Sequence, residues 1–253
     1  MTMRSNLQRV DLKSSGHLLC AGFLVLVFGL TGCASGPRAN PHDPLEPFNR
    51  GVYQFNDTVD VAVIKPVALA YRDAVPQPVR RGVGNFFNNL QDAWSFVNNA
   101  LQLKGEAAAD SLARFGVNTF IGLGGILDVA SEMDIERHTK DFGHTLGYWG
   151  VGPGPYLVLP FFGPSTVRDS AALVVDIKGD LSTLVSDVPT RNTATVVRLV
   201  DKRATLLQAT TMLEEAALDK YTFTRDSYLQ HRRSVIFDGN PPDEEASEPE
   251  PAQ

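Results

Sequence analysis

The stretch VGNFFNNLQDAWSFVNNAL, residues 83–101, decides the fold of this chain. Its large apolar side chains recur every three or four residues and lie on one stripe, formed by Phe86, Leu90, Trp94, Val97 and Leu101. The opposite stripe is polar and consists of Asn88, Asp92, Ser95 and Asn99. Two opposed stripes at a period of 3.6 residues predict an amphipathic α-helix. On such a helix a single aromatic residue such as Trp94 is more often a core residue than part of a ligand site.

The same helical spacing recurs on both sides of this stretch. Three further apolar series show it: Phe48, Val52, Phe55 and Val59; Val174, Ile177, Leu181, Leu184 and Val188; and Leu199, Leu206, Leu213, Ala217 and Tyr221. Asp43-Pro44-Leu45-Glu46 has the composition of a helix start, and Thr166 with Asp169 has capping-box spacing. The one strand-like fragment, residues 156–159, is bounded by prolines and cannot be a central strand. Residues 43–238 are therefore predicted to form an all-α domain.

Two apolar segments do not have the composition of a helix. Residues 118–128, NTFIGLGGILD, hold three glycines within four positions, each of which weakens a helix by about 1 kcal/mol relative to alanine. They predict a hairpin, which is a turn between two short apolar arms. Such a hairpin can insert into lipid or pack inside the protein, and the sequence favours packing. Residues 141–169 hold six glycines and four prolines among aromatic and aliphatic side chains. They predict an ordered apolar loop, because exposing it would create an apolar surface patch that is prone to aggregation.

The first 33 residues have the pattern of an export signal. Three basic residues precede the apolar run LLCAGFLVLVFGL, residues 18–30. This run is shorter than the roughly 20 residues that span a bilayer and has the length of a signal-peptide core. It ends in Leu30-Thr31-Gly32-Cys33, which resembles the lipobox of bacterial lipoproteins. The sequence therefore predicts a removed signal peptide at residues 1–32, a lipidated Cys33 and a short tether over residues 33–42.

The cysteines and the residue after the lipobox agree with this interpretation. Cys20 lies in the removed segment, so the exported chain would contain no free thiol and no disulfide. Two or three acyl chains on Cys33 would anchor the protein stably, whereas one chain anchors it only marginally. Position 34 is Ala and not the Asp that usually retains lipoproteins in the inner membrane. The predicted location is the periplasmic side of a Gram-negative outer membrane.

Charge is unevenly distributed along the chain. The formal net charge is −6; residues 1–32 carry +2 and residues 239–253 carry −5, which leaves −3 for the residues between them. A nearly neutral body lacks the basic footprint of a nucleic-acid-binding protein. Residues 239–253 are rich in proline and acid, and are predicted to be a disordered, solvated tail.

Several segments together resemble the MlaA (VacJ) family of outer-membrane lipoproteins. The matching segments are Asp43–Arg50, Val75–Arg80, Asn85–Phe87, Asn118–Ala130, Phe142–Gly147, Gly150–Pro160 and Gly163–Asp169. They follow one another in the family's order behind a lipobox and span roughly residues 43–238. A single glycine- and proline-rich run would be weak evidence, but seven in sequence make a specific pattern.

The resemblance implies a ring of amphipathic helices that lies in the inner leaflet of the outer membrane around a central channel. It also implies the function: removal of mislocalised phospholipids from the outer leaflet and their transfer to a soluble periplasmic carrier protein, which maintains lipid asymmetry. The implied partners are phospholipids, that carrier and an outer-membrane trimeric porin, with no cofactor, no metal and no nucleic acid. The candidate gate is the hairpin from Phe120 to Leu127, whose glycines Gly122, Gly124 and Gly125 allow it to move. Asn49 and Phe55, near the start of the first amphipathic helix, are candidates for the lipid path on the basis of the resemblance and their position.

Two alternatives stay open beside transport. One is a structural porin-associated lipoprotein without a lipid path, and the other, less favoured, is a phospholipase. The chain contains no G-x-S-x-G motif, no metal-binding histidine pair and no nucleotide-binding P-loop. His144, three residues after Asp141, is a possible general base, but a solvated or capping histidine is the favoured interpretation. The expectation is a protein that is not an enzyme.

Overall fold

The computed structural model describes residues 43–242. Within them the α-helices are α1 (Glu46–Val59), α2 (Lys65–Ala74), α3 (Gln77–Leu101), α4 (Gly105–Phe120), α5 (Val129–Glu132), α6 (Phe142–Tyr148), α7 (Val167–Gly179), α8 (Val188–Ala216) and α9 (Lys220–Ile236). A π-helical turn, Asp60–Ile64, joins α1 to α2, and a 3₁₀ turn, Leu181–Leu184, precedes α8. Two short strands, β1 (Tyr156–Leu159) and β2 (Gly163–Thr166), complete the fold. The predicted all-α class is confirmed.

The π-helical turn has a local cause in the sequence. Pro66, two residues after the end of this turn, lies in the first turn of α2. Proline has no N–H to donate, and its ring collides with the carbonyl group four residues earlier in a regular α-helix. A wider turn relieves that collision, so the chain continues from α1 into α2 without a loop.

The predicted helix start at Asp43 is corrected by the structure. Helix α1 begins at Glu46, and no side chain caps it. Asp43 is buried instead, and its Oδ2 accepts hydrogen bonds from the Tyr221 hydroxyl (2.5 Å) and from Nη1 of Arg225 (3.2 Å). The carboxylate therefore ties the start of the domain to α9, close to the other end of the described chain.

Helices α3 and α4 form an antiparallel pair at the centre of the domain. Residues 102–104 connect them, and the Asn89–Thr119 and Asn99–Ser111 hydrogen bonds fix their register. The long helix α8 packs against α2, where Ala68, Ala204 and Leu207 form a small apolar cluster, and it also contacts α3. The polar faces of α3 and α4 contact each other and the segment of residues 128–145.

The segment of residues 141–169 is ordered, as predicted, but it is not all loop. Residues 142–148 form α6, because the side chain of Asp141 accepts a hydrogen bond from His144 N while Nδ1 of His144 accepts one from Asp141 N. This reciprocal capping box satisfies backbone donors at the helix start and offsets the two glycines inside the helix. The fragment Tyr156–Leu159 is a strand that pairs antiparallel with β2 in a two-stranded hairpin, consistent with its exclusion from a sheet centre.

Compared with a water-soluble domain, this domain has an inverted distribution of side chains, with polar residues inside and large apolar residues outside. Among the described residues, 11 hydrophobic and 20 polar or charged side chains are buried, while 36 large hydrophobic side chains are exposed. On α3 the polar residues Asp92, Ser95 and Asn99 face inwards, whereas Phe86 and Val97 of the apolar stripe are exposed. A water-soluble domain buries its apolar stripes and rarely buries charges, so this surface is suited to contact with an apolar environment.

Within residues 43–242, no helix is long and apolar enough to span a membrane. The predicted signal peptide, Cys33 and most of the predicted tail lie outside these residues.

Candidate functional site

A layer of buried amide and hydroxyl groups lies between α3, α4 and the segments after α4. Gln102 donates through Nε2 to Thr145 Oγ1 (3.0 Å), and Thr145 Oγ1 donates to Asn98 Oδ1 (2.8 Å). Asn99 donates to Ser111 Oγ (3.1 Å) and to the carbonyl of His138 (3.0 Å). The buried side-chain oxygens of Asn89, Asn99 and Gln102 have no partner among the described groups. An unsatisfied buried acceptor costs about 1–3 kcal/mol, so this interior is suited to contact with a polar guest or water.

Four charged residues form an ion-pair cluster in this polar interior, beside the glycine-rich segment. Arg114 is buried, and its guanidinium contacts Asp92 (Nε to Oδ2, 3.4 Å) and Asp128 (Nη2 to Oδ1, 2.7 Å). Arg137 reaches Asp92 from the other side (Nη2 to Oδ2, 3.3 Å). Burial raises the pKa of Asp92 to about 6, against the lowering effect of both arginines. Two carboxylates face two guanidiniums, so the cluster adds no net charge to the interior at neutral pH.

The glycine-rich segment, residues 120–127, is a surface loop with a fixed base and an open tip; we call it the glycine loop. Gly125 has φ +95°, and an added Cβ there would lie 2.6 Å from Nδ2 of Asn89. An added Cβ on Gly122 would lie 2.3 Å from the carbonyl oxygen of Leu127. Gly124 has φ +72°, but nothing lies near its missing side chain. Only glycine fits these two positions: Gly125 lies directly on α3, and Gly122 lies against the backbones of Leu127 and of Asn118 in α4.

The apolar side chains of the glycine loop point outwards. Phe120 is 88% exposed and Leu123 is 69% exposed, and about half of Leu127 is exposed. The favoured expectation that this segment packs inside the protein is therefore wrong. Its first arm is the end of α4, and its second arm is held by Asn118, which donates to Asp128 Oδ1 (3.0 Å) and accepts from Ala130 N (2.9 Å).

The two candidates on α1 lie apart from the glycine loop. Asn49 is fully buried: it donates to Asp43 Oδ1 (2.8 Å) and to the carbonyl of Tyr156 (3.0 Å), and accepts from Val158 N (2.9 Å). Its amide is occupied in joining α1 to β1, which is a structural role. Phe55 is half exposed and packs edge-to-face on Phe161 at the tip of the strand hairpin, with ring centroids 5.3 Å apart.

One feature that the sequence patterns did not single out is a basic cleft between α2, the start of α3 and α8. It has a volume of about 410 Å³. Three arginines line it, Arg72, Arg80 and Arg81, and Asp201 of α8 lies in its wall. The adjacent pair Arg80-Arg81 is visible in the sequence. Nothing in the sequence indicates that Arg72 and the middle of α8 lie beside it, because these contacts are made only in the fold.

The candidate general base has no catalytic geometry. His144 Nδ1 lies in the capping box of α6, and burial lowers the pKa of the imidazole. Arg232 holds Asp141 by a bidentate contact, with Nη1 2.5 Å from Oδ2 and Nη2 3.1 Å from Oδ1. The capping interpretation of His144 is confirmed. Between residues 43 and 242 there is also no group of histidine, cysteine and carboxylate side chains that could hold a metal ion.

A helical domain with a polar interior and an apolar surface defines a class of protein built to contact lipid. Comparison with known proteins gives the particular family. Residues 41–235 match the family model of the MlaA lipoprotein. The chain is 38% identical over 217 residues to the intermembrane phospholipid transport system lipoprotein MlaA of Escherichia coli K12, with 83% of this chain and 85% of that protein covered. It is 33% identical over 233 residues to the protein of the same name from Haemophilus influenzae, with 85% and 89% covered.

A solved structure described as the structural basis for maintenance of bacterial outer membrane lipid asymmetry is also similar. It is 35% identical in sequence, with a TM-score of 0.68 over 77% of this chain and 98% of that chain. The chain belongs to the MlaA lipoprotein family.

Proposed function

We propose that this protein is the outer-membrane lipoprotein of an intermembrane phospholipid transport system. In this role it removes phospholipids that are mislocalised in the outer leaflet, and thereby maintains outer-membrane lipid asymmetry. The observation that carries the proposal is the inverted burial, with polar side chains inside and large apolar side chains outside. Relatives that cover most of the chain are named for intermembrane phospholipid transport.

The polar interior supports a transport role through the chemistry of a lipid headgroup. Moving a zwitterionic or anionic headgroup through hydrocarbon is costly, because its charges lose their hydration. A neutral interior of amides and hydroxyls solvates either kind of headgroup without binding one of them too tightly to release. The buried oxygens of Asn89, Asn99 and Gln102 have unused acceptor capacity, which would serve an ammonium or hydroxyl headgroup that enters this interior. In this mechanism lipid enters headgroup first, and its acyl chains stay against apolar side chains.

The apolar surface supports placement in one leaflet. Helices that expose apolar stripes without spanning the bilayer can lie at the interface, with their apolar faces in the acyl region. A ring of such helices around a central channel, an anchor on Cys33, a trimeric porin partner and delivery to a soluble periplasmic carrier are the remaining parts of the proposal. The direction of transfer would come from the downstream carrier, because the chain carries no P-loop for a nucleotide.

The deciding experiment is lipid transfer from proteoliposomes that carry the acylated protein to the purified soluble carrier, with and without porin. Mass spectrometry of the acceptor identifies the products. Intact phospholipid on the carrier is the expected result. Lysophospholipid with free fatty acid would instead assign a phospholipase. No transfer and no hydrolysis, even with porin present, would assign a structural lipoprotein.

A further inference from the structure

The basic cleft differs from the other charge clusters described above in its excess of positive charge. The body of the chain is nearly neutral and slightly acidic. Yet the cleft contains three guanidiniums and one carboxylate, Asp201, whose Oδ1 accepts a hydrogen bond from the Tyr71 hydroxyl (2.9 Å). Its volume of about 410 Å³ is within the usual range for small-ligand sites, roughly 300–1,000 Å³. A cleft with this excess of positive charge is suited to an anion.

The arginines in the cleft are only partly engaged by the protein. Arg80 uses Nε to donate to the carbonyl of Val75 (3.0 Å), and its charge also acts on Asp201 in the cleft wall. Its two terminal nitrogens make no hydrogen bond and no ion pair at contact distance with the described residues. Arg81 makes neither a hydrogen bond nor an ion pair with any described residue. Arg72 contacts the exposed carboxylate of its neighbour Asp73 (2.9 Å). Several forked donors are therefore available, and this donor geometry matches phosphate oxygens.

The two sides of the first turns of α3 differ in polarity. Gln77, Arg81, Gly84 and Asn88 recur at helical spacing on the side that lines the cleft. Val79, Gly82 and Phe86 recur on the adjacent side, where Val79 and Phe86 are exposed and an added Cβ on Gly82 would lie 2.9 Å from Ile126 of the glycine loop. One helix thus separates a basic cleft from an exposed apolar surface.

Asn85 joins these two sides. It lines the cleft, and its Nδ2 donates to the carbonyl of Ile126 (3.0 Å) in the glycine loop. Ile126 and Leu127 are each about half exposed beside it. A ligand that fits both sides must have an anionic group and an apolar chain joined within a few ångströms. Inorganic phosphate fits only the cleft, and a fatty chain fits only the apolar side.

We infer that this cleft binds the phosphate of a phospholipid headgroup, with the acyl chains lying along the exposed apolar side of α3 and the glycine loop. The inference rests on the proposed function and names a binding site for the transported lipid. Arg81 and the terminal nitrogens of Arg80 contact the phosphate oxygens, and Arg72 closes the open side. Asn85 couples the occupied cleft to the glycine loop through the Ile126 carbonyl.

The test is lipid binding at equilibrium by the full-length acylated protein. Mixed micelles contain equal amounts of dioleoyl phosphatidylethanolamine and dioleoylglycerol, which has the same chains and no phosphate, and bound lipid is counted by mass spectrometry after repurification. The wild-type protein should be enriched in the phospholipid. Arg81→Gln should reduce that enrichment about tenfold, and Arg72→Gln with Arg81→Gln should abolish it, because each arginine supplies a charge-assisted hydrogen bond. Dioleoylglycerol binding should not change.

The control is Arg191→Gln, the same chemical change near the start of α8. It lies 10 residues, or about 15 Å of helix, from Asp201, the nearest residue of α8 in the cleft wall. Its enrichment should equal that of the wild type. Circular dichroism and melting temperature verify that the variants are folded, which Arg81→Gln should be because Arg81 is exposed and has no partner in the described chain.

Competition separates the two sources of phosphate. Soluble inorganic phosphate, up to millimolar concentration, should not displace the bound phospholipid. Displacement by inorganic phosphate would assign a free-anion site and overturn the lipid assignment. Equal enrichment in the wild type and in the folded double variant, or no enrichment in the wild type, would also overturn the inference. Transfer to the soluble carrier, measured on the same samples, decides the proposed function separately: enrichment without transfer overturns only the function.

Discussion

At the scale of single residues, Asp92 is a carboxylate held in an environment that disfavours its charge. It lies in the polar interior between Arg114 and Arg137, and burial raises its pKa to about 6. A group whose folded pKa is raised binds more protons in the folded state between about pH 4 and pH 6. Its contribution to the free energy of unfolding therefore falls as pH rises through that window.

The variant Asp92→Asn should lack this pH-dependent loss of unfolding free energy. Relative to wild type, it should gain roughly 3 kcal/mol of stability as pH rises from 4 to 7, at about 1.4 kcal/mol per pKa unit. Denaturant unfolding in detergent at several pH values measures this difference. Asp169→Asn is the opposite control: although burial opposes it, Arg168 and Arg232 lower the pKa of Asp169, so this variant should lose stability relative to wild type as pH rises toward about 4 and should change little from pH 4 to 7. Parallel pH profiles for both variants would contradict the assignment.

Asp141 is a buried carboxylate whose pKa is lowered, in contrast to that of Asp92. Despite its burial, His144 and Arg232 hold the pKa of Asp141 well below its usual range. Asp141→Ala removes the capping box of α6 and one partner of Arg232, and should cost about 2 kcal/mol near neutral pH. Because the pKa is lowered, this cost should shrink as pH falls below about 4. Asp187→Ala removes an exposed cap at the start of α8 and should cost less. Equal melting temperatures for the two variants would contradict this account.

At the scale of elements, the glycine loop is a rigid base with an exposed apolar tip. A proline at position 124 would not stiffen this loop. Gly124 has φ +72°, which proline cannot adopt, and its N–H donates to the carbonyl of Thr119 (3.0 Å). That substitution would disrupt the turn instead of stiffening it.

Gly125→Ala is the sharper test of the loop. It places a Cβ 2.6 Å from Asn89 and a non-glycine residue at φ +95°, so the loop must lift away from α3. We expect impaired lipid transfer with little change in helix content. Gly116→Ala, a helical position with nothing within 4 Å of an added Cβ, should keep wild-type transfer and gain about 0.5–1 kcal/mol of stability. Wild-type transfer by a folded Gly125→Ala protein would show that the position of the loop does not matter.

At the scale of the whole molecule, the exposed apolar surface should hold the domain on membranes without its lipid anchor. Purified Cys33→Ser protein, which cannot be acylated, should still float with phosphatidylethanolamine–phosphatidylglycerol vesicles. Because the body is nearly neutral, attachment should depend on apolar burial and persist in 1 M NaCl, where the Debye length falls to about 3 Å. Release of the protein by salt would assign attachment to charge instead.

The helical class, the amphipathic stripe of residues 83–101 and the two irregular apolar segments followed from the sequence alone. They depend on side-chain period and on glycine and proline chemistry, which act within a few residues. The order of the family segments was also visible, because it needs no tertiary contact. Helix α6 was not predicted, and the start of α1 was placed too early. Their boundaries depend on capping partners and on the burial of Asp43 against α9.

Only the tertiary structure decided which side of each stripe is inside. A period of 3.6 residues separates two faces, but it does not say whether water or lipid surrounds the molecule, and that medium determines which face is buried. The polar interior depends on partners far apart in sequence, such as Gln102 with Thr145 and Asn99 with His138. The basic cleft likewise brings α2, α3 and α8 together across more than a hundred residues. Such long-range contacts leave no local pattern, because the free energy that selects them comes from packing of the whole domain.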